Sequence, residues 1–496
     1  MNIARALGEV REARPDAPAI SFDAQTWSYE ELWARTRALA CYLQPLLAPG
    51  RCVLCLTPNH PQVVAAYAAV AGLGSIFVPV NPELTVEEIR YIAATVEPAV
   101  ALGSRDLLPR LGAALEQAGQ RPHVLELPLE ADLPAGEITF ADLDPDQGAL
   151  ICFTSGSTDQ PKAVFASHRN ELASAAQYAA VWAIHPGDRV LVALPLSFLY
   201  GLTTGALTAL LNGAEVLLED RFHPRRILKR IERDRATVFM GVPTMYAMML
   251  QVGLEEPDTF DLSSIRLMLT AGAPIAEAIL DAFYQRFGVH VIDFYALSEV
   301  RPVFAYDARR FRRGRPGSCG RQLPGVEVRL VDPDGKLVAR RGEAGELLVR
   351  SDTLMKGYYR DPERTAAAMP DGWFHTGDLA TLDEDGFYHI VGRKSDLIIR
   401  GGVNIAPAEV ERAILRHPAV LEAAVVGVPD AVFGEEVAAA VSLKPGAQLS
   451  EGDLIDAVRT VLAEYKLPRR IRFASSLPRG VTGKVDKQAV RALWLG

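Results

Sequence analysis

The 496 residues predict an α/β protein with two parts. A large N-terminal domain should hold helix-covered mixed sheets and a β-barrel-like subdomain, and a small α+β domain should follow. Three observations carry this reading. Apolar helical stretches alternate with short Val/Ile/Leu strands from residue 17 to about 300, the pattern of parallel sheets covered by helices. From about Gly317 the pattern changes to hairpins closed by DPDG and DEDG turns, which predicts antiparallel pairing. After Arg393 about 100 residues mix helical and strand-like stretches, a common domain size. With no low-complexity linker present, the divisions fall at 1–392, a hinge at 393–395, and 396–496.

The elements follow in order. MNIARALGEVREARPDAPAI reads as an amphipathic helix and then a strand, with no apolar signal core for export. RCVLCLTPN places Cys52 and Cys55 at CxxC spacing, yet it is an apolar run with no second Cys/His pair nearby, so a buried strand is expected. Five scattered cysteines fit a reducing compartment, and the cytoplasm is the expected location. Val63 to Val80 alone has the length to suggest a membrane span. Gly72, Gly74, Ser75 and Pro79 interrupt it, so a helix, a tight turn and a buried strand are predicted, and no span. RVLVAL, AEVLLE and ATVFMGV read as strands beside helices such as PRRILKRIERD. VEVRLVDPDGKLV, AGELLVR and GFYHIVGR form the hairpin region. PAEVERAILRHP and EGDLIDAVRTVLAEY are the C-terminal helical stretches, with EAAVVGV and EEVAAAVSL as strands.

Hydrophobic residues at 49% suffice for more than one core. The net charge of -9 makes nucleic acid a poor default partner, since phosphate contacts need Lys and Arg. Arg309, Arg310, Arg312, Arg313 and Arg315 are a local exception. They fit a solvated basic loop, or a surface for nucleotide phosphates or an acidic carrier protein.

The segment ICFTSGSTDQPKAV is a strand, a turn dense in small hydroxylic residues, and then Lys162. Thr154, Ser155, Ser157 and Thr158 can donate hydrogen bonds, and Gly156 lets backbone amides approach an anion. Such a loop suits a polyphosphate. The Walker A pattern GxxxxGK[ST] is absent. Taken alone, the segment could equally be a Ser/Thr-rich surface turn.

Four downstream motifs decide between these. They are YALSE (Tyr295–Glu299), WFHTGD (Trp373–Asp378), GRKSDLIIRGGVNIAPAEVE (Gly392–Glu411) and PRGVTGK (Pro478–Lys484). With the loop, their order, spacing and content closely resemble the adenylate-forming superfamily, in its acyl-CoA synthetase branch, over nearly the whole chain. The resemblance implies ATP, Mg²⁺ and coenzyme A as cofactors and a small-molecule carboxylic acid as substrate. Acid and ATP are both anions, so the site must neutralise charge and hold them in line. By the resemblance, Ser298 contacts the α-phosphate, Glu299 is the Mg²⁺ ligand, Asp378 and Arg393 hold the ribose, and Tyr295 stacks on adenine. Lys484, in a mobile small domain, swings in to contact carboxylate and phosphate. Ser395 is the hinge, and Gly401 and Gly402 let a pantetheine arm pass close to the backbone. Motif alignment puts Phe198, Leu199, Tyr200, Gly241, Ala271, Gly272, Ala273 and Leu297 around the acid, a mostly apolar set that suits an aryl or medium alkyl group. Arg301 would meet a second carboxylate if it faces inward, and is a surface charge if it faces out.

This sequence departs from the family pattern at Asp159 and Ala163, both usually Gly, at Ala296, and at Phe198, often His. A carboxylate at 159 beside a triphosphate is a like-charge contact unless it points away or finds a cation. The leading expectation is an AMP-forming acid–CoA ligase. A stand-alone enzyme loading an acyl or aminoacyl group onto a carrier protein is the first alternative. A catalytically degenerate binder of nucleotide or acyl-adenylate is the second. A homodimeric assembly is kept among the partners.

Overall fold

A computed structural model describes the chain except residues 130–137, 141, 155–160, 258, 274, 445, 480–484 and 496, and the side chain of Asn404. Two seven-stranded sheets form the frame of the large part. One runs Val291–Asp293, Leu267–Thr270, Val238–Gly241, Arg189–Val192, Glu215–Leu218, Pro18–Phe22 and Gln25–Ser28, parallel except for its last pair. The other runs Gly357–Tyr358, Lys162–Ser167, Gly148–Thr154, Ile76–Val80, Cys52–Leu56, Val100–Gly103 and His123–Glu126.

Strand residues alternate faces, and that alternation sorts the core into layers. Val53, Cys55 and Val100 of one sheet and Val190, Val216 and Val238 of the other join one buried cluster with the helices Ile3–Ala13, Tyr29–Leu43, Pro61–Gly72 and His168–Trp182. These helices therefore lie between the sheets. The opposite faces pack on their own helices: Cys52, Leu54 and Leu56 on Val86–Val96 and Leu108–Gln117, and Leu191, Leu217 and Phe239 on Pro224–Asp234 and Pro243–Glu255. Helix Pro61–Gly72 is buried on every side, as an all-apolar helix in the middle layer must be. It hands over through Gly74, at φ +72°, to the buried strand Ile76–Val80, the predicted helix, turn and strand. Among the described residues no helix is long and apolar enough to cross a membrane.

The parallel reading fails at two hairpins, the first being Pro18–Phe22 with Gln25–Ser28. Gly148–Thr154 and Lys162–Ser167 are an antiparallel hairpin, with Thr154 opposite Lys162. The two strands that flank the hydroxyl-rich segment are thus paired with each other. The hairpin region predicted from Gly317 is a four-stranded antiparallel sheet in the order Val326–Val331, Gly345–Ser351, Phe374–Leu382 and Tyr388–Arg393. A Gly320–Tyr388 bridge carries it toward the short pair Phe304–Ala305 and Arg321–Gln322. In the C-terminal part, the strands Val420–Asp430 and Gly434–Leu443 centre a five-stranded sheet. Val425, Val437 and Ala439 face the helices Pro407–Leu415 and Glu451–Arg459. Val426, Ala438 and Ala440 face Val490 of the helix Lys487–Ala492.

Candidate active site

Three neighbouring parallel strands end in register at Gly241, Thr270 and Asp293. The chain then enters the segments that carry Ala271, Gly272 and Ala273, and Phe294 to Glu299. Loops that leave a parallel sheet at its carboxyl ends form a natural crevice. Across that edge lies the segment Tyr200–Leu207, a π-helix, a wide turn that often marks functional sites. The Tyr200 hydroxyl donates to the Gly241 carbonyl at 3.2 Å and lies 3.4 Å from the Leu269 carbonyl, and its ring meets Phe294 edge-on at 5.5 Å. Burial pushes the Tyr200 phenol well above its ordinary range. Gly201 is required here, because a Cβ would fall 2.5 Å from the Pro195 carbonyl oxygen. Phe198 and Leu199 lead into this helix, and Leu297 closes a turn by donating its N–H to the Val300 carbonyl at 3.0 Å. The residues expected around the acid therefore come from adjacent strand ends and one helix.

On the nucleotide side, the Tyr295 hydroxyl donates to Asp378 Oδ2 at 2.5 Å, and Arg393 Nε donates to Asp378 Oδ1 at 2.9 Å. Asp378 is 4% exposed. Its own N–H donates to Thr376 Oγ1 at 3.0 Å, and that hydroxyl donates to the Leu347 carbonyl. Register sets part of this arrangement, since Asp378 and Arg393 are cross-strand partners. Burial, with Asp378 second, holds the Tyr295 phenol well above its usual range. Tyr295 stacks on Phe304 at 5.6 Å, and Phe304 on Tyr388 at 4.1 Å.

Thr154 and Lys162 flank the hairpin loop, while Ser155, Gly156, Ser157, Thr158 and Asp159 lie outside the described residues, as does Lys484. The strand Gly357–Tyr358 pairs with Lys162–Ser167 and brings Tyr358 between two charges. Its hydroxyl donates to Glu299 Oε1 at 3.0 Å, and the Lys162 ammonium lies 5.5 Å over its ring. The Glu299 carbonyl accepts from Met355 N at 2.7 Å. No group of three or more His, Cys, Asp or Glu that could cage a metal exists among the described residues. Mg²⁺ keeps several waters and is held by one or two carboxylates plus substrate phosphates. Glu299, with Oε1 on a neutral phenol, can supply such a carboxylate.

Arg301 faces inward, but both terminal nitrogens are committed to the protein. Nη2 pairs with Glu171, and Nη1 donates to the Ser298 carbonyl at 2.9 Å. It offers no free cation to a second substrate carboxylate. The arginine cluster is largely neutralised locally: Arg309 pairs with Asp307, Arg313 lies 3.5 Å from Asp281, and Arg315 pairs with Asp385 while stacking on Phe387. Gly401 and Gly402 take φ +57° and +83° in the exposed turn between Ile398–Arg400 and Val403–Ile405. Ser395 lies in a 3-10 turn, donating to Asp396 Oδ1 at 3.0 Å. Next to it, Lys394 donates to Glu346 at 2.7 Å. Arg479 and Val485 form a bridge that closes the segment containing Lys484.

Sequence reasoning missed four side chains that build this site: Tyr358, Glu171, Thr203 and Asp293. Glu171 had a readable signal. It shares one helical stripe with Ala175, Tyr178 and Trp182, all buried, and an acid on such a stripe needs a partner. Asp293 ends a strand beside the Tyr295 segment, and burial pushes its carboxyl well above the usual carboxylate range.

Tyr295 and Arg393 thus converge on Asp378, close in the fold to three parallel strands that end together beside the π-helix. The family model described as AMP-binding enzyme matches residues 8–359, and that of the AMP-binding enzyme C-terminal domain matches 409–484. A feruloyl-CoA synthase of Amycolatopsis sp is 35% identical over 494 residues, 97% of either chain. ATP-bound MatB from Rhodopseudomonas palustris superposes with a TM-score of 0.92 at 31% identity, covering 100% of this chain and 99% of that one. The amide bond synthetase McbA from Marinactinospora thermotolerans superposes at 0.89 and 33% identity, covering 99% of each. The chain belongs to the AMP-binding enzyme family, in its acyl-CoA synthetase branch. It is an AMP-forming acid–CoA ligase that uses ATP and coenzyme A.

Proposed function

We propose that the enzyme activates a monocarboxylic acid with an aryl or medium alkyl body and passes the acyl group to CoA. The observation that carries this is the crevice itself. Tyr200 bonds the Gly241 carbonyl at the strand ends, Phe198, Leu297 and Ala271 belong to segments that flank these elements, and the Arg301 guanidinium is paired with Glu171. Apolar surroundings favour a flat or modest apolar group over a diacid. Feruloyl-CoA synthase, among the relatives, acts by its name on an aryl acid.

In the first half-reaction the acid carboxylate attacks the α-phosphorus of ATP, an acyl–O–P bond forms, and pyrophosphate leaves. Asp378 accepts the ribose hydroxyls while Tyr295 and Arg393 fix its carboxylate. Ser298 donates to the α-phosphate, and Lys162 and the 154–158 hydroxyls and amides hold the remaining phosphates. Lys484 contacts both anions as a mobile point charge. Glu299 would hold Mg²⁺, which would supply neutralisation of the phosphate charge. In the second half-reaction the CoA thiol attacks the acyl carbonyl and AMP leaves. Rotation at Ser395 exchanges Lys484 for the Gly401–Gly402 turn. Residues 1–392 and 396–496 are the two moving parts. The free cysteines support a cytoplasmic location.

A pyrophosphate-release screen over aryl, alkyl, dicarboxylic and amino acids tests the substrate class. Aryl or medium alkyl monoacids should give the highest kcat/KM. Preference for a diacid or an α-amino acid would contradict the proposal. Running the best acid with CoA and with a phosphopantetheinylated carrier protein separates the ligase from a carrier-loading enzyme.

A further inference from the structure

A buried charge pair sits directly behind the reactive loop. Arg301 is 2% exposed and Glu171 0%. They come from distant stretches: Glu171 lies in the first turn of the helix His168–Trp182, and Arg301 two residues beyond Glu299. Taking both charges out of water is costly, and two apolar residues would pack there at least as well. Global stability is therefore a weak reason for the pair to exist.

Its connections suggest a better one. Three elements hold Glu171: Arg301 Nη2 on Oε1, Thr203 of the π-helix donating to Oε2 at 2.7 Å, and Tyr67 of the middle-layer helix donating to Oε2 at 3.3 Å. Clamped in this way, the carboxylate fixes the guanidinium. The other arm, Nη1, then donates to the Ser298 carbonyl at 2.9 Å. That carbonyl belongs to the peptide joining Ser298 to Glu299. The forked guanidinium thus spans from a rigid anchor to the backbone between the expected phosphate contact and the expected metal ligand. Other restraints on this loop are the Leu297 N to Val300 O bond, the Met355 N to Glu299 O bond, the Val300–Leu354 bridge and the Tyr358 hydroxyl on the side chain. None of them holds the Ser298–Glu299 peptide plane from behind.

We propose that Arg301, anchored by Glu171, is a positioning residue for adenylation, which fixes the Ser298–Glu299 peptide and so aims Glu299 at the phosphate-bound Mg²⁺. The inference rests on the roles given above to Ser298 and Glu299. It also assigns a function to Thr203. Through that hydroxyl the same anchor is tied to the helix carrying Tyr200, so the acid wall and the metal carboxylate share one support.

The double variant Arg301→Met/Glu171→Gln separates positioning from simple stability. It removes both charges together, and the introduced amide retains an oxygen for Thr203 and Tyr67, so folding should be kept. Acid-dependent exchange of pyrophosphate into ATP should fall about tenfold or more, with a several-fold rise in the Mg²⁺ concentration for half-maximal rate, because small displacements of reacting groups are costly. Thioester formation from supplied acyl-AMP and CoA needs no Mg²⁺–triphosphate and should stay within about twofold of wild type. Arg301→Lys provides a second arm, since it keeps the charge against Glu171 but lacks the fork that also reaches Ser298. It should show the same raised Mg²⁺ requirement. Wild-type Mg²⁺ dependence in either variant, or equal losses in both half-reactions, overturns the proposal. Glu299→Ala is run alongside. If wild type shows no exchange, or Glu299→Ala keeps the wild-type Mg²⁺ dependence, the reading of the site itself fails and the proposal falls with it.

Discussion

His168 offers a quantitative test of the packing behind the site. It opens the helix that carries Glu171, is 0% exposed, and neither ring nitrogen has a hydrogen-bond partner. Burial is the main cause, with the chain's N-terminal ammonium second, that lowers its pKa from 6.5 to about 4. The folded state therefore resists the proton while the unfolded state takes it. The sign follows: stability is unaffected well above pH 6.5, and it is lost as pH falls from 6.5 toward 4. A gap of about 2.5 pKa units at 1.36 kcal/mol per unit corresponds to about 3 kcal/mol in full, of which about 2 kcal/mol is lost between pH 7.5 and pH 5. In His168→Leu this contribution disappears, and no hydrogen bond is sacrificed. Urea unfolding of both proteins at the two pH values, followed by intrinsic fluorescence, isolates it, because other titrating groups cancel in the difference. The pH-dependent loss should be about 2 kcal/mol smaller in the variant. Identical pH dependence in the two proteins would refute the buried, neutral imidazole.

Two further outcomes concern the nucleotide. Tyr295→Phe removes the hydroxyl donated to Asp378 and leaves Arg393 as its side-chain donor among the described residues. One hydrogen bond to a charged group is worth about 1.5 kcal/mol, so the ATP KM should rise about tenfold, read from initial rates of AMP formation. An unchanged KM would remove Tyr295 from the ribose clamp. Asp159→Gly deletes a carboxylate from the triphosphate loop and should leave the ATP KM unchanged or lower it. A large increase would mean that Asp159 contributes to binding.

Much of the fold was legible because long-range pairing follows local pattern. The apolar run of Val63 to Val80, broken by Gly72, Gly74, Ser75 and Pro79, reads as a buried helix, turn and strand, and the DPDG and DEDG turns mark hairpins. The hairpin at Gly148–Ser167 was hidden, since its strands are buried on both faces and read like parallel ones. Tyr295, Asp378 and Arg393 were visible through motifs, but their arrangement depends on cross-strand register that sequence spacing does not encode. Tyr358 was invisible for a related reason: a two-residue strand brings it to Glu299, 59 positions away. Arg301 was noticed, and its direction was not readable. Only the fold shows that Glu171, 130 residues earlier, is the group it meets. Charge partners chosen by tertiary structure leave at most half a signal in a single sequence, here an acid on an otherwise apolar helix stripe.

The division of labour between the two half-reactions is the core of the functional account, and Lys484→Ala tests it most directly. Acid-dependent exchange of pyrophosphate into ATP and thioester formation from supplied acyl-AMP and CoA are measured on the same preparation. The account predicts that exchange is nearly abolished while thioester formation continues at close to the wild-type rate. Wild-type exchange, or loss of both reactions together in a folded protein, would contradict it.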